Sequence, residues 1–280
     1  MGKNKMVASG EENSTAAEDT CRRWEELNPE ILALIFVRIP ADEMVRNVPL
    51  VCKPWMEAVA GPYCWRDIDV AEWCRRRNEV RAVDLAVRKL VSRSKCTFQR
   101  LSTYRLGNPG FIFVANRARC LTVLEMPMSD VTDDTVLNHV KSLPNLRVLD
   151  ISDCLNITAK GLEAFGNQCK SLVSLKRNNP WVILTKSSPL LIDDSEPYII
   201  ANSMSNLQHL ELCFGCFGDA GLSEILTKCK SLTHLDIQGS WNVKLEGDFK
   251  KNLQRLEYFG TTYSDDLSDG GDSYDCEDSL

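Results

Sequence analysis

The chain has 280 residues, of which 44% are hydrophobic, a composition typical of a folded protein. Its 39 acidic and 33 basic residues give a net charge of −6, which argues against nucleic-acid binding over the whole surface, and its longest apolar run, residues 31–37, is too short for a membrane span. Because the first 20 residues are polar and lack the apolar core of a signal peptide, we expect the 12 cysteines to be reduced, in the cytoplasm and/or nucleus.

Residues 1–22 are polar and are predicted to be disordered, whereas residues 23–70 form a compact, tryptophan-rich segment with three short helices. Asn28 followed by Pro29 is typical of a helix N-cap and first turn. A segment this short buries little core of its own. Its apolar surface is therefore expected either to be completed by a partner or to cap the domain that follows.

Residues 71–97 are predicted to be a basic helical linker. The stretch from Arg75 to Arg105 is rich in lysine and arginine, with Glu79 and Asp84 as its acidic residues, and valines mark one apolar helix face. We interpret its charges as a solvated helix surface. RNA binding or nuclear import is the alternative, which the lack of interleaved aromatic residues disfavours, so no nucleic-acid partner is predicted.

A pattern of leucines, L-x-x-L-x-L, recurs through residues 98–260 at intervals of about 25 residues, the period of leucine-rich repeats. The copies begin at Leu121, Leu146, Leu172, Leu207, Leu232 and Leu253, with Phe98 as a candidate seventh start. Each copy predicts a short strand with inward leucines, then a turn and a helix. Because no copy can bury its apolar face alone, the copies must stack. The predicted fold class is α/β: three helices followed by a solenoid of about six repeats.

Some residues of the repeats have side chains that can bind a metal or take part in a reaction. Cys154 follows Leu146 by eight residues, where this repeat takes Asn or Cys, so its thiol is expected inside the turn. His209, Cys213 and Cys216 include a C-x-x-C pair but show no fourth ligand, so no metal site is predicted. The chain contains no phosphate-loop, G-x-S-x-G or H-E-x-x-H motif, so neither a cofactor nor a catalytic residue is expected.

One residue of each predicted strand faces outward, toward the concave surface of the solenoid. These residues are Glu125, Asp150, Lys176, Glu211, Asp236 and Glu257. Strands lie about 4.8 Å apart, so the acids would form a column of like charges that repel one another. A protein substrate with a basic patch would relieve that repulsion. The alternative is that exposed strand positions are simply polar. An insertion in residues 176–203 adds Trp181, which is expected either to contact the substrate or to be buried, and residues 261–280 are predicted to be an acidic, disordered tail.

The segment from Trp24 to Trp65 resembles an F-box, the module that binds a Skp-type adaptor. The resemblance rests on Leu27, Pro29, Glu30, Ile31, Leu32, Ile35, the Ile39-Pro40 pair, Val51-Cys52-Lys53-Pro54-Trp55 and Trp65. Asn28 departs from the family pattern, which has proline at that position. Since F-boxes followed by leucine-rich repeats are a known pairing, the resemblance covers residues 24–260. Within that family the sequence is similar to a plant subgroup.

This resemblance implies a non-catalytic substrate-recognition subunit of an SCF-type cullin–RING ubiquitin ligase, which promotes ubiquitination and proteasomal degradation of its substrate. It implies that the adaptor, and through it the cullin and RING subunits, is bound by Leu27, Pro29, Ile31, Leu32, Ile35, Val51 and Trp55. The plant resemblance further implies argonaute-class proteins, which are basic, as clients. The alternative is a leucine-rich-repeat scaffold or adaptor protein outside any ligase.

Overall fold

The computed structural model describes residues 24–179, 191–246 and 249–261. The predictions of disorder before residue 23, of a contact at Trp181 and of a disordered tail from residue 262 onward lie outside the described residues. Every helix in the described ranges is too short or too polar to cross a bilayer.

The N-terminal segment contains three short helices: α1 (Pro29–Phe36), α2 (Ala41–Arg46) and α3 (Lys53–Ala60). Helix α1 begins where the sequence predicts, because Asn28 Oδ1 accepts the Glu30 N–H at 2.8 Å and proline occupies the first helical position. Phe36 of α1 lies against Trp55 of α3, with ring centroids 4.9 Å apart. Single 3₁₀ turns lie at Trp24–Glu26, Val48–Leu50 and Tyr63–Trp65.

The described residues beyond this segment contain a single parallel sheet of eight strands. The strands are β1 (Asp67–Asp69), β2 (Arg100–Ser102), β3 (Val123–Glu125), β4 (Val148–Asp150), β5 (Ser174–Lys176), β6 (His209–Glu211), β7 (His234–Asp236) and β8 (Tyr258–Gly260). Each strand pairs with the next in chain order, so the middle residues form one apolar row across the sheet. That row is fully buried from Ile68 to Leu235 and ends at Phe259. The solenoid predicted from the leucine pattern is therefore confirmed.

Helices connect the strands on the other side of this row. They are α4 (Ala71–Arg77), α5 (Val80–Arg93), α6 (Asn108–Ala115), α7 (Asp133–His139), α8 (Ala159–Gln168), α9 (Ser195–Ser203), α10 (Asp219–Lys228) and α11 (Lys250–Leu253). Consecutive helices from α5 to α11 contact one another, which forms a continuous convex layer. Side chains alternate along a strand, so the first and third residue of each strand face away from the helices. Those residues form the concave face.

The sheet begins earlier than the leucine pattern indicates. Strand β1 pairs in register with β2, and Trp65, Ile68 and Val70 take the three apolar positions of the repeat. Trp65 is fully buried, and its Nε1 donates to the Val59 carbonyl at 2.8 Å, so one residue joins the helical segment to the solenoid. The sequence pattern missed this repeat because its apolar positions hold no leucine.

The basic stretch is therefore not a linker. Helices α4 and α5 connect β1 to β2 and form the convex side of the first repeat. Val83, Val87 and Val91 of α5 are fully buried, and α5 packs against α6. The predicted apolar helix face is correct, but it belongs to the solenoid core and not to a solvated connection.

The last repeat lies three residues later than the sequence pattern placed it. The β7–β8 register pairs Leu235 with Phe259, so the repeat starts at Leu256 and not at Leu253. Leu256 follows Leu232 by about 24 residues, which restores the regular interval. Leu256 fits the template either as its first or as its second leucine, and the strand pairing shows that it is the first.

Aspartates tie a helix to the preceding repeat at the start of α8 and of α10. Asp133 Oδ1 accepts the backbone N–H groups of Thr158 and Gly161, at 2.8 and 3.0 Å, and so caps α8 from the neighbouring repeat. Asp194 caps α10 in the same way through Gly218 and Gly221. A Cβ at residue 161 would lie 2.6 Å from that aspartate oxygen, which explains the glycine. The sequence pattern does not predict these contacts between aspartates and the next helix.

Cys154 lies buried inside its turn, as predicted, and Cys169 and Cys229 are buried at the ends of α8 and α10. Cys154 Sγ donates to the Met126 carbonyl at 3.3 Å, and Cys169 and Cys229 make the equivalent contact with the preceding repeat. Burial raises the pKa of Cys154 and Cys169 to about 12 and that of Cys229 to about 11. These thiols are therefore structural groups.

Candidate functional site

The N-terminal helices expose a cluster of apolar side chains to solvent. Ile31 is 48% exposed, Ile35 39% and Val51 61%. Exposed apolar side chains that lie together on one surface mark interaction sites. The structure adds four large side chains that the sequence analysis did not assign: Trp24, Leu34, Leu50 and Met56. The sequence feature that could have identified them is a large apolar residue on a short helical turn where other residues already supply the core.

An open groove of about 540 Å³ lies within this surface, between Trp24, Ile35, Val51, Cys52 and Trp55. The indole Nε1 of Trp55 is buried and has no hydrogen-bond partner among the described residues. A buried indole N–H normally finds an acceptor. The groove therefore offers apolar walls, which suit an apolar partner segment, while the Trp55 N–H itself lies below the surface.

The structure places the predicted adaptor-binding residues in two environments. Leu32 is fully buried in the core, so its prediction as a surface contact is wrong. Successive helical residues point about 100° apart, so the face that buries Leu32 turns Ile31 outward. Pro29 is exposed at the start of α1, and Leu27 and Trp55 are half-buried against the core.

The concave column predicted from the sequence exists for five of its six residues. Glu125, Asp150, Lys176, Glu211 and Asp236 occupy equivalent positions on β3 to β7. Glu257 does not belong to the column, because the corrected register places Gly260 opposite Asp236 and leaves Glu257 before the strand. It was assigned from the earlier of the two leucine registers. Trp181, the other predicted substrate contact, lies outside the described residues.

The column is largely neutralised within the chain, which corrects the expectation of unrelieved repulsion between its acids. Arg100 Nη2 lies 2.6 Å from Glu125, and its Nη1 lies 3.0 Å from Asp67 and 3.2 Å from Asp69. Lys176 Nζ lies 2.8 Å from Glu211. The leucine pattern does not point to Arg100, because Arg100 belongs to β2, which lies before the six copies of that pattern.

Glu211 is held tightly within this network. Burial alone would raise the pKa of Glu211, but hydrogen bonds from Lys176, His209 and Asn178 lower it below its ordinary value. It is therefore an ionised, structural carboxylate, and changing it would disturb three neighbouring side chains.

Asp150 and Asp236 are the acids of the column that form no ion pair with another described residue. Burial raises the pKa of Asp150, although its oxygen accepts the Ser152 N–H at 2.9 Å. Asp236 accepts the Gln238 N–H at 3.0 Å. These two carboxylates are the ones that remain available to a cationic partner.

A row of rings lies beside the column on the last three strands. The ring centroids of His209 and His234 are 5.5 Å apart and those of His234 and Tyr258 are 6.2 Å apart, with interplanar angles of 22° and 21°. His209 and His234 occupy equivalent first positions on β6 and β7. Tyr258, which the earlier register turned inward, completes the row and is 45% exposed. The concave face thus combines stacked rings with two carboxylates, Asp150 and Asp236, that are hydrogen-bonded but form no ion pair with a described residue.

Several arginines of the basic stretch stack on aromatic rings. Arg75 lies over the ring of Tyr104, Arg88 over that of Phe113, and Arg93 over that of Trp65, at 5.4, 5.0 and 5.5 Å. Phe113 and Trp65 lie outside the stretch, and Tyr104 lies near its end, far in sequence from Arg75. These charges stabilise the joint between the first repeat and its neighbours.

No group of three or more His, Cys, Asp or Glu residues in the described ranges has the geometry to hold a metal ion. His209 instead bonds to Glu211, at 2.9 Å, and the Cys213 N–H donates to Asn178 Oδ1 at 2.9 Å. Burial raises the pKa of Cys213 to about 12.

Comparison with protein families supports the repeat assignment. The family model described as "Leucine Rich repeat" matches residues 142–166. That stretch contains strand β4, the Cys154 turn and most of α8.

Curated proteins of Arabidopsis thaliana are similar over most of the chain. "F-box protein FBW2" is 37% identical over 84% of this chain and 74% of its own length. "Putative F-box/LRR-repeat protein 23" is 32% identical over 82% of this chain and 51% of its own length. Among solved structures, an internalin from Listeria monocytogenes is 18% identical, with a TM-score of 0.40 over 61% of this chain and 43% of its own.

Proposed function

Because the chain belongs to the plant F-box/leucine-rich-repeat family, we propose that it is the substrate-recognition subunit of an SCF-type cullin–RING ubiquitin ligase. The F-box binds a Skp-type adaptor, which connects it to the cullin and RING subunits, and the repeats bind a protein substrate. The chain performs no chemistry and supplies proximity between the substrate and the charged ubiquitin-conjugating enzyme. Ubiquitination and proteasomal degradation of the substrate follow.

The F-box groove is the single observation that carries this proposal. Burial of the exposed parts of Ile35 and Val51 by an adaptor stabilises the complex by about 1–2 kcal/mol each. A compact set of apolar anchors such as these allows a few residues to dominate the binding energy of a protein interface.

The test is adaptor capture by a chain with a charged groove. Val51→Asp is expected to reduce capture of a plant Skp-type adaptor at least about ten-fold, because the complex would bury an unpaired carboxylate. The matched control is Leu85→Asp, at a 66% exposed position on α5. Both variants should keep the melting temperature of the wild type. Unchanged capture by Val51→Asp would refute the ligase assignment and favour a scaffold protein outside any ligase.

The concave face supports the second half of the proposal, a substrate with a basic segment. Asp150 and Asp236 lack ion pairs among the described residues, and the ring row beside Asp236 suits a guanidinium, which stacks on rings and pairs with carboxylates. Asp236→Asn should weaken substrate binding without changing adaptor capture. Equal substrate binding by wild type and variant at low salt would remove the concave face from the proposal.

A further inference from the structure

One edge of the solenoid is basic although the whole chain is acidic. At this edge each helix from α5 to α11 ends and the chain turns into the next strand, β2 to β8. The seven connecting segments contain one acidic residue, Glu257. Their basic residues are Lys95, Arg117, Arg119, Lys141, Arg147, Lys170, Lys230 and Arg255. We call this surface the basic edge; it is separate from the F-box groove and from the concave column.

Most of these charges form no ion pair within the part of the chain that the structure describes. Lys95, Arg119, Lys141, Arg147 and Lys230 are exposed, and none forms an ion pair with a residue that the structure describes. Cations near helix C-termini are favoured by the helix dipole, but that effect fades beyond the last turn. Arg119 and Lys230 lie beyond the ends of α6 and α10.

The strand register gives this edge a regular spacing. Arg119, Lys170 and Lys230 each precede their strand by four residues, on β3, β5 and β7. The strands between them carry Pro144 and Ser205 at that position. Neighbouring strands are about 4.8 Å apart, so the three cations recur about every 10 Å along the edge. Lys170 Nζ donates one bond to the Gly166 carbonyl, at 2.9 Å, and keeps two further protons.

The C-terminal sequence has the complementary charge and the complementary spacing. From Ser264 onward it contains no lysine or arginine. Aspartates occupy every third position: Asp266, Asp269, Asp272, Asp275 and Asp278. Three residues of extended chain span about 10 Å, the same interval as the cations of the basic edge. We propose that residues 264–280 lie along the basic edge of the same chain, with aspartates paired to cations of alternate strands.

The chain is long enough for this contact. The described residues end at Thr261, one residue after β8, and the position equivalent to Lys230 in that repeat is Gln254. The path from Thr261 back to the level of Gln254 is at most about 23 Å, which an extended chain covers in about seven residues. Asp269 therefore reaches the level of Lys230, and the next two aspartates of the series reach Lys170 and Arg119. Because the tail is tethered, its effective concentration at the edge is about millimolar, so individually weak surface pairs suffice together.

The test uses the full-length chain and a dye-labelled synthetic peptide of residues 262–280. In the neutral-tail variant, the aspartates of the three-residue series are replaced by asparagine, which leaves the edge open. This variant should bind the peptide at least about ten-fold more tightly than the wild type, whose own tail competes. Affinity measured by fluorescence anisotropy should fall as salt rises.

Charge reversal identifies the surface. Lys170→Glu together with Lys230→Glu, in the neutral-tail background, should reduce peptide affinity at least about ten-fold, whereas Lys160→Glu, at an exposed position on the first turn of α8, should leave it unchanged. If the pair lowers the melting temperature, Arg119→Gln with Lys230→Gln replaces it. No peptide binding by the neutral-tail variant, or equal binding by variant and wild type, would overturn the proposal. Equal affinity of an RNA oligonucleotide for the wild type and for the neutral-tail variant would also overturn it, because the tail would then not cover the basic edge.

Discussion

Arg177 gives the sharpest prediction about how this solenoid is held together. It occupies a position where other repeats place an apolar side chain, yet it is only 5% exposed. Its guanidinium donates to the carbonyls of Cys154 and Ile157, at 3.3 and 2.9 Å, and to Glu196 at 2.9 Å. One side chain thus joins the turn of one repeat to the helix of the next. The perturbation is Arg177→Leu, which inserts the residue that the repeat pattern favours.

The expected effect of this substitution is destabilisation, in spite of the better match to the pattern. Removing one partner of a buried ion pair costs about 3–5 kcal/mol, because the other partner and the carbonyls lose their bonds. Glu196 is 24% exposed, so water recovers part of that loss. About 3 kcal/mol remains, which corresponds to a fall of about 6–12 °C in melting temperature for a chain of this size.

Thermal unfolding followed by circular dichroism measures this effect. Arg147→Leu is the matched control, since Arg147 is exposed and forms no ion pair with a described residue; its effect should stay within about 0.5 kcal/mol. Arg177→Leu combined with Glu196→Gln should recover part of the loss, because no ion is then left unpaired. A melting temperature for Arg177→Leu equal to or above the wild type would refute the reasoning.

Three further outcomes are expected. Gly239→Ala should destabilise the chain by about 1–3 kcal/mol in urea unfolding, because Gly239 has φ +72° and its new Cβ would meet the Phe214 ring; an unchanged midpoint would contradict this. Cys169 should resist iodoacetamide in the folded chain at pH 8, because burial raises its pKa to about 12, while exposed Cys120 is alkylated; equal labelling by mass spectrometry would contradict this. Folding raises the pKa of Asp150, so the folded chain favours the neutral acid and is destabilised when Asp150 ionises as pH rises. Asp150→Asn should therefore stabilise the chain at pH 7 and lose that advantage in acid. The same difference in unfolding free energy at both pH values would argue against this.

The outline of the functional surfaces could be predicted from the sequence, and their charge balance could not. The outward position of Asp150 follows from strand alternation alone. Whether a carboxylate is free depends on residues far away in sequence, as Glu125 shows: its cation, Arg100, is 25 residues earlier and comes from another repeat. A local pattern contains no information about that pairing, because only the register of adjacent strands brings the two side chains together.

The F-box shows the same limit at the level of one helix. The apolar spacing of α1 identifies the helix, but all its apolar residues look alike in sequence. Burial separates Leu32, which is in the core, from Ile31 and Ile35, which face solvent. The tertiary contact with α3 makes that choice, because it decides which side of the helix is covered.

The sequence by itself determined the repeat period, the class of fold and the helix start at Asn28, because each depends on residues close together in the chain. Only the tertiary structure decided where the solenoid begins and ends. Trp65 and Phe259 fill positions of the buried row or its flank without matching the leucine pattern, and their places follow from pairing with β2 and β7. The physical reason is that burial selects for volume and apolar character in the stacked core, while a sequence pattern recognises only the commonest residue that meets that need.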